Sequence, residues 1–176
     1  MGFWAAIRDV FPATLHQRDW VHETANVLDA LTKSVHRATK KAIREITEAE
    51  NKARAEAAIL AFAAEFVTIW PKAVAKIVEE KEVLLTIYDF PAEHWRHLRT
   101  TNPIESTFAP VRARTELTKG PGSREAGLAM TFKLSEAAEE RWRRLNGSDL
   151  VPLVRAGAKF ENGELVEGSS EQKDAA

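Results

Sequence analysis

The residues with the most chemistry in this chain lie in one run, His94-Trp95-Arg96-His97-Leu98-Arg99-Thr100-Thr101-Asn102-Pro103-Ile104-Glu105-Ser106. It sets a carboxylate, Glu105, at a helix start among Arg96, Arg99, Arg112, Arg114 and Lys119, with only Glu116 as a further acid nearby. A carboxylate so placed could hold a divalent cation beside a phosphate, because hard cations take oxygen ligands. It could equally be a helix cap on a solvated surface. The spacing predicts the helix start. Asn102 serves as N-cap, Pro103 follows where no backbone donor is needed, and Glu105 stands three residues after the cap as in a capping box. Arg112 is two turns further on, about 10 Å along a straight helix, and faces the same way as Glu105 unless Pro110 bends it away. His94 and His97 share a helix face. Without a third ligand nearby they are read as contacting phosphates with Arg96 and Arg99. Trp95 is read as a core anchor, and Arg141, Arg143 and Arg144 as a solvated helix end favoured by the dipole.

The elements that must position these groups are mostly helical. Phe3–Val10 reads as a short helix with Phe3, Ile7, Val10 and Phe11 on one side, ended by Pro12. Leu15–His22 is expected to be a short strand. Val35, Ala38, Ala42, Ile46 and Ala49 recur at helical spacing. Ala53–Trp70 is apolar over more than one face and should be central and buried. Pro71 starts another helix, Asp89-Phe90-Pro91 breaks the chain, and Pro91–Leu98 is a short helix. The Glu105 helix runs to about Thr118 with Pro110 inside it, which removes a hydrogen bond and favours a kink. Ser123 caps a long helix to Leu145, with Leu128, Phe132 and Trp142 on its apolar face. Glu161-Asn162-Gly163-Glu164 is a hairpin turn.

Composition bounds the possibilities. At 176 residues, 44% hydrophobic, the chain can bury a core, as one domain or two small ones. A net charge of −1 gives no global attraction to nucleic acid, so any binding needs a local patch. There is no cysteine, which excludes disulfides and zinc–thiolate sites and fits a reducing cytoplasm. No membrane span and no signal peptide are expected. The tail from Gly168 to Ala176 is small and polar and is expected to be disordered.

Two stretches carry a family resemblance. Arg99-Thr100-Thr101-Asn102-Pro103-Ile104-Glu105-Ser106-Thr107 resembles the C-terminal signature of bacterial Mutator-type insertion-sequence transposases. Gln17-Arg18-Asp19-Trp20-Val21-His22-Glu23-Thr24-Ala25-Asn26-Val27-Leu28 resembles a second signature, a Cys or Asp followed three residues later by His. The resemblance runs from about Gly2 to about Phe160. It implies that Glu105 is the last carboxylate of an Asp-Asp-Glu triad on an RNase H-like core, holding two Mg²⁺ ions for phosphoryl transfer on DNA. Asp19 and His22 would bind metal, position DNA or form a structural pair. Arg96, Arg99, Arg112, Arg114 and Lys119 would contact the DNA.

The resemblance also has a gap. In such relatives the second catalytic aspartate stands a few residues before a segment like Gly2-Phe3-Trp4-Ala5-Ala6-Ile7, a place occupied here by Met1. The expectation is therefore a mainly α chain, the C-terminal part of an RNase H-like core with most of the sheet missing. Residues 1–30 would be a core remnant, 31–92 a helical insertion, 93–146 the core helices carrying Glu105, and 147–176 a C-terminal segment. One carboxylate cannot hold two Mg²⁺ ions, so the chain alone should be inactive. The expected function is transposition at transposon-end DNA, together with self-association or association with a full-length transposase. A non-catalytic module binding DNA or transposase, or a decayed remnant, is the alternative.

Overall fold

A computed structural model of the protein describes residues 3–12 and 14–166; the tail from Gly168 lies outside them. Ten α-helices and one short hairpin are described, so the chain is mainly helical. Helix α1 spans Phe3–Val10. Ile7 on it is half-buried, whereas Val10, Phe11 and then Leu15 stand exposed.

The segment expected as a strand is corrected. Residues 14–19 form no strand, and Trp20 already begins helix α2, Trp20–Asp29. Asp19 decides this. Its side chain accepts the His22 backbone N–H at 2.8 Å and so caps the first turn, an option that weak apolar alternation could not outweigh. The extended approach is tied to the core by side chains and backbone: Arg18 N–H donates to the Val83 carbonyl at 2.9 Å, and the Trp20 indole N–H to the Leu84 carbonyl at 3.1 Å.

The core is a cluster of short helices. Helix α3, His36–Thr47, packs on α4, Lys52–Phe66, and α2 and α4 both pack on α5, Pro71–Val78. The buried stripe of α3 is Thr39, Ile43 and Ile46, one step round from the alanines that suggested it. Helix α4 buries one face, Ala55, Ile59, Phe62 and Phe66, and not several. Leu60 on the other face is 71% exposed. Helix α6, Lys81–Leu85, leads through a 3₁₀ turn to Tyr88, whose hydroxyl donates to the Ala49 carbonyl at 2.9 Å. A 3₁₀ turn and helix α7, Trp95–Leu98, follow the break at Pro91. Trp95 is half-buried and packs against the core: its indole N–H donates to the Phe90 carbonyl at 2.9 Å and its ring meets Tyr88 edge-on at 4.8 Å.

Helix α8, Asn102–Leu117, continues through Pro110, and α9, Arg124–Glu139, packs back on it. Ser123 caps α9 by accepting the Ala126 N–H at 3.1 Å. The helix stops at Glu139, not at Leu145, because Trp142 turns to donate to the Thr107 hydroxyl at 3.2 Å. Leu128, Phe132 and Trp142, expected to face a core, are exposed. After α10, Val151–Arg155, strands β1, Phe160–Glu161, and β2, Glu164–Leu165, pair antiparallel in register Phe160 with Leu165. Asn162 and Gly163 take positive φ of 50° and 90°, as the Asn-Gly turn demands. The turn docks on the core: Gly163 sits so close to Ala92 that an added Cβ would lie 2.7 Å from the alanine's own.

Candidate functional site

The two stretches singled out in the sequence meet in space. Asp19 is the junction. Its Oδ2 accepts both the backbone N–H and, at 2.8 Å, the hydroxyl of Thr101, across 82 residues of chain. Its Oδ1 accepts the His22 N–H and stands 3.2 Å from His22 Nδ1. The far ring nitrogen, Nε2, lies 3.4 Å from Glu105 Oε1, and the Thr101 hydroxyl is 3.1 Å from the same oxygen. Trp20 N–H donates to the Arg99 carbonyl at 2.9 Å and aligns the two segments.

The carboxylates differ in their commitments. Asp19 keeps only 11% of its side chain exposed, Glu105 keeps 47%. Burial pushes the Asp19 carboxyl up. The N–H groups of Thr101, His22 and Val21 and the Thr101 hydroxyl outweigh it together and hold the pKa down at about 2. The Thr101 hydroxyl has one hydrogen and two carboxylate neighbours. The shorter contact is to Asp19, so Glu105 keeps the looser one. His22 is in a similar position. A neutral imidazole has one N–H for two carboxylates, and an imidazolium donates to both. Glu105 is thus steered from two sides without being saturated.

The cap differs from the sequence expectation. Helix α8 starts at Asn102 with Thr101 in the cap position. Asn102 donates its N–H to the Thr100 hydroxyl at 3.1 Å, and Glu105 turns to Thr101 and His22 rather than closing a capping box on Asn102. The reason is tertiary: Asp19 claims the Thr101 N–H.

Of the basic residues, Arg99 alone joins this junction. It is half-buried, with its guanidinium 6.0 Å over the Trp95 ring. Arg96, Arg112, Arg114 and Lys119 stand exposed on α7, α8 and the loop after it. His94 and His97 are corrected. His94 is buried and its Nε2 donates to the Gly147 carbonyl at 2.9 Å, while His97 Nε2 accepts the Asn146 N–H at 3.2 Å. Both pin the loop after α9, and His94 is too deeply buried to be presented to a phosphate. Sequence reasoning missed Thr101. Its signal was a hydroxyl directly before Asn-Pro, at a helix start, where a cap is expected.

The model of the family described as transposase, Mutator family, matches residues 1–144. The chain is 60% identical over 167 residues to the transposase for insertion sequence element IS6120 of Mycolicibacterium smegmatis, covering 95% of this chain and 52% of that protein. It is 48% identical over 163 residues to the transposase for insertion sequence element IST2 of Acidithiobacillus ferrooxidans, covering 93% of this chain and 55% of that protein. To the transposase for insertion sequence element ISRM5 of Rhizobium meliloti it is 27% identical over 145 residues. The chain spans about half the length of the first two of these relatives. With both signatures inside the matched region and joined through Asp19, His22, Thr101 and Glu105, the chain belongs to the Mutator family of transposases.

Proposed function

We propose that this chain carries part of the catalytic apparatus of DNA transposition. Glu105 supplies one carboxylate to a phosphoryl-transfer site, and Asp19, His22 and Thr101 are the positioning residues that aim it. The observation that supports the reading is the meeting of the two signatures around one hydroxyl, with the steered carboxylate left the more exposed of the two. Arg96, Arg99, Arg112, Arg114 and Lys119 are the contacts to DNA phosphates in this reading.

Two Mg²⁺ ions, when bound, would activate the attacking oxygen and stabilise the leaving one. The residues here fit one ligand of such a site and not the whole of it. Asp19 already accepts donors on both oxygens, and among the described residues no three His, Asp or Glu side chains converge where an ion could sit. The remaining carboxylates belong, on this reading, to an RNase H-like core outside these residues. In the same reading, residues 1–30 are a remnant of that core, 93–146 its helices carrying Glu105, 31–92 the insertion, and 147–176 a C-terminal segment.

What this chain's own groups do follows from the geometry. Asp19 fixes the His22 ring through Nδ1, and Thr101 fixes the backbone at the start of α8. Glu105 is thereby held at the joint of two segments and open to solvent on its free side. The test supplies the unmatched part of the M. smegmatis relative in trans, with transposon-end DNA and Mg²⁺. Strand cleavage is expected with the parent and background with Glu105→Gln. Cleavage by Glu105→Gln equal to the parent's removes Glu105 from the chemistry. This chain alone should cleave nothing, and metal-dependent cleavage by it would show the site to be complete within these residues.

A further inference from the structure

The segments that carry Asp19, His22 and Thr101 have a second side. Trp20 and Val21 on one, and Arg99 and Thr100 on the other, line a cleft of about 350 Å³ together with Lys40, Ile43 and Arg44 of α3. That is the size of a small-molecule site. Its charge is one-sided: three cations and no carboxylate line it, in a chain of net charge −1.

A second cleft shows what a purely structural cluster looks like in this molecule. Between α2 and α5, Arg18, Lys72 and Lys76 face Glu23, Glu79 and Glu80, and Arg18 Nε is 2.7 Å from Glu80 Oε2. Charges there neutralise one another. In the first cleft they do not. Arg99 Nε is buried with no hydrogen-bond partner among the described residues. A buried donor without an acceptor is costly, and it belongs to a guanidinium whose residue helps to line this cleft. Arg44 meets only Glu48, at 3.3 Å between two well-exposed side chains, a weak pair that an anion can displace. The floor is apolar and fixed: Ile43 is buried, and Trp20 is pinned through its indole N–H to Leu84.

We propose that this cleft between α2 and α3 binds one nucleotide of a DNA strand, its phosphate on Lys40, Arg44 and Arg99 and its sugar and base against Trp20, Val21 and Ile43. The proposal rests on the DNA reading above and adds a location to it. Because Trp20, Val21, Arg99 and Thr100 of the cleft alternate along the chain with Asp19, His22 and Thr101 of the Glu105 junction, a strand seated in the cleft passes near Glu105. Lys40 and Arg44 sit on α3 one turn apart; what α2 and Arg99 add to them is visible only in the fold.

Binding of a fluorescein-labelled single strand of DNA to the full chain, followed by anisotropy across a salt series, tests this. Lys40→Ala/Arg44→Ala changes two exposed side chains, so circular dichroism should be unaltered. The expected result is about a tenfold loss of affinity at about 50 mM salt and a salt slope shallower by about 1.4, for two phosphate contacts on a single strand. Lys72→Ala/Lys76→Ala in the charge-balanced cleft removes the same charge and should bind like the parent. Equal losses in both double variants overturn the cleft, since only net charge would then matter. Parent-like binding by Lys40→Ala/Arg44→Ala, with loss in Arg96→Ala/Arg112→Ala/Arg114→Ala, overturns the cleft and leaves the DNA reading standing. A parent that binds no DNA overturns both.

Discussion

Helix α4 buries Ile59, Phe62 and Phe66 against its neighbours, whereas α9, of similar length, leaves Leu128 and Phe132 in solvent. The contrast extends to the regions around them. From α2 to α7 each helix contributes to one cluster, and the closing hairpin β1–β2 is fastened to it through Phe160 and Gly163. Among the described side chains of α8 and α9 only Thr107 is buried. The two helices are held by each other, by Trp142 on Thr107 and by the Asp19–Thr101 junction at the start of α8. The difference teaches where the site lies. Asp19 and His22 belong to the packed part, Glu105 to the sparsely packed part, and Thr101 stands on the border. A carboxylate at such a border can be aimed by rigid neighbours while its own helix retains freedom to settle against something larger.

The largest effect should come from the packed side. Phe62 is 1% exposed and meets the Phe66 ring at 5.0 Å. Phe62→Ala removes that burial and leaves a cavity, which should lower the unfolding free energy by about 3–5 kcal/mol in a denaturant titration. A loss smaller than that of any α9 truncation would erase the distinction between the two regions.

Next in size is the border. The folded-state pKa of Asp19 is lowered from 3.8 to about 2. A depressed carboxylate pKa gives stability that is fully present above the unfolded value and is lost as pH falls through the folded one. Discounted for its place at the rim, the contribution is about 1–2 kcal/mol. Asp19→Asn should therefore be less stable than the parent by about that much at neutral pH, with the gap closing between about pH 4 and pH 2. A gap independent of pH would mean that Asp19 acts through shape and not through its charge. Thr101→Val keeps the backbone N–H to Asp19 and removes only the hydroxyl, so about 1 kcal/mol is expected, with faster amide exchange confined to the first turn of α8.

Much of this was legible in the sequence where local chemistry decides. The α1 boundaries, Pro71 at a helix start, the Ser123 cap and the Asn162-Gly163 turn all follow from residues acting on their immediate neighbours. The strand reading failed locally: Asp19 caps the His22 N–H three residues on, which outweighs weak apolar alternation. The other misreadings share a cause: a distant partner took a group that local rules had assigned. Asn102 lost the cap position because Asp19 holds Thr101 across 82 residues of chain. His94 and His97 were read with the arginines beside them, whereas Gly147 and Asn146, in a loop after α9, hold their rings. At the candidate site the residue types of both signatures were readable. Their union, and the cleft on its far side, needed the fold. The burial of α4 was overestimated because apolar sequence on two faces says how much could be covered and not what is present to cover it.

The smallest effect is expected on the exposed side, and it decides whether the comparison is one of packing or only of appearance. Phe132 is 60% exposed, and its ring has the Lys133 ammonium at 5.6 Å as a neighbour. An exposed cation–π contact contributes at most about 0.5–1 kcal/mol, and the ring buries too little area to add much more. Opposing this, alanine is the better helix former by a few tenths of a kcal/mol. The two terms nearly cancel, so Phe132→Ala should move the unfolding free energy by no more than about 0.5 kcal/mol. Leu128→Ala lacks even the cation contact and should fall in the same range. The same truncations remove apolar surface that a second copy or a longer transposase could cover. If self-association occurs, sedimentation should show it weakened by Phe132→Ala at unchanged monomer stability. A destabilisation near that of Phe62→Ala would instead mean that α9 is packed within the chain in solution, and the border on which Glu105 sits would have to be drawn elsewhere.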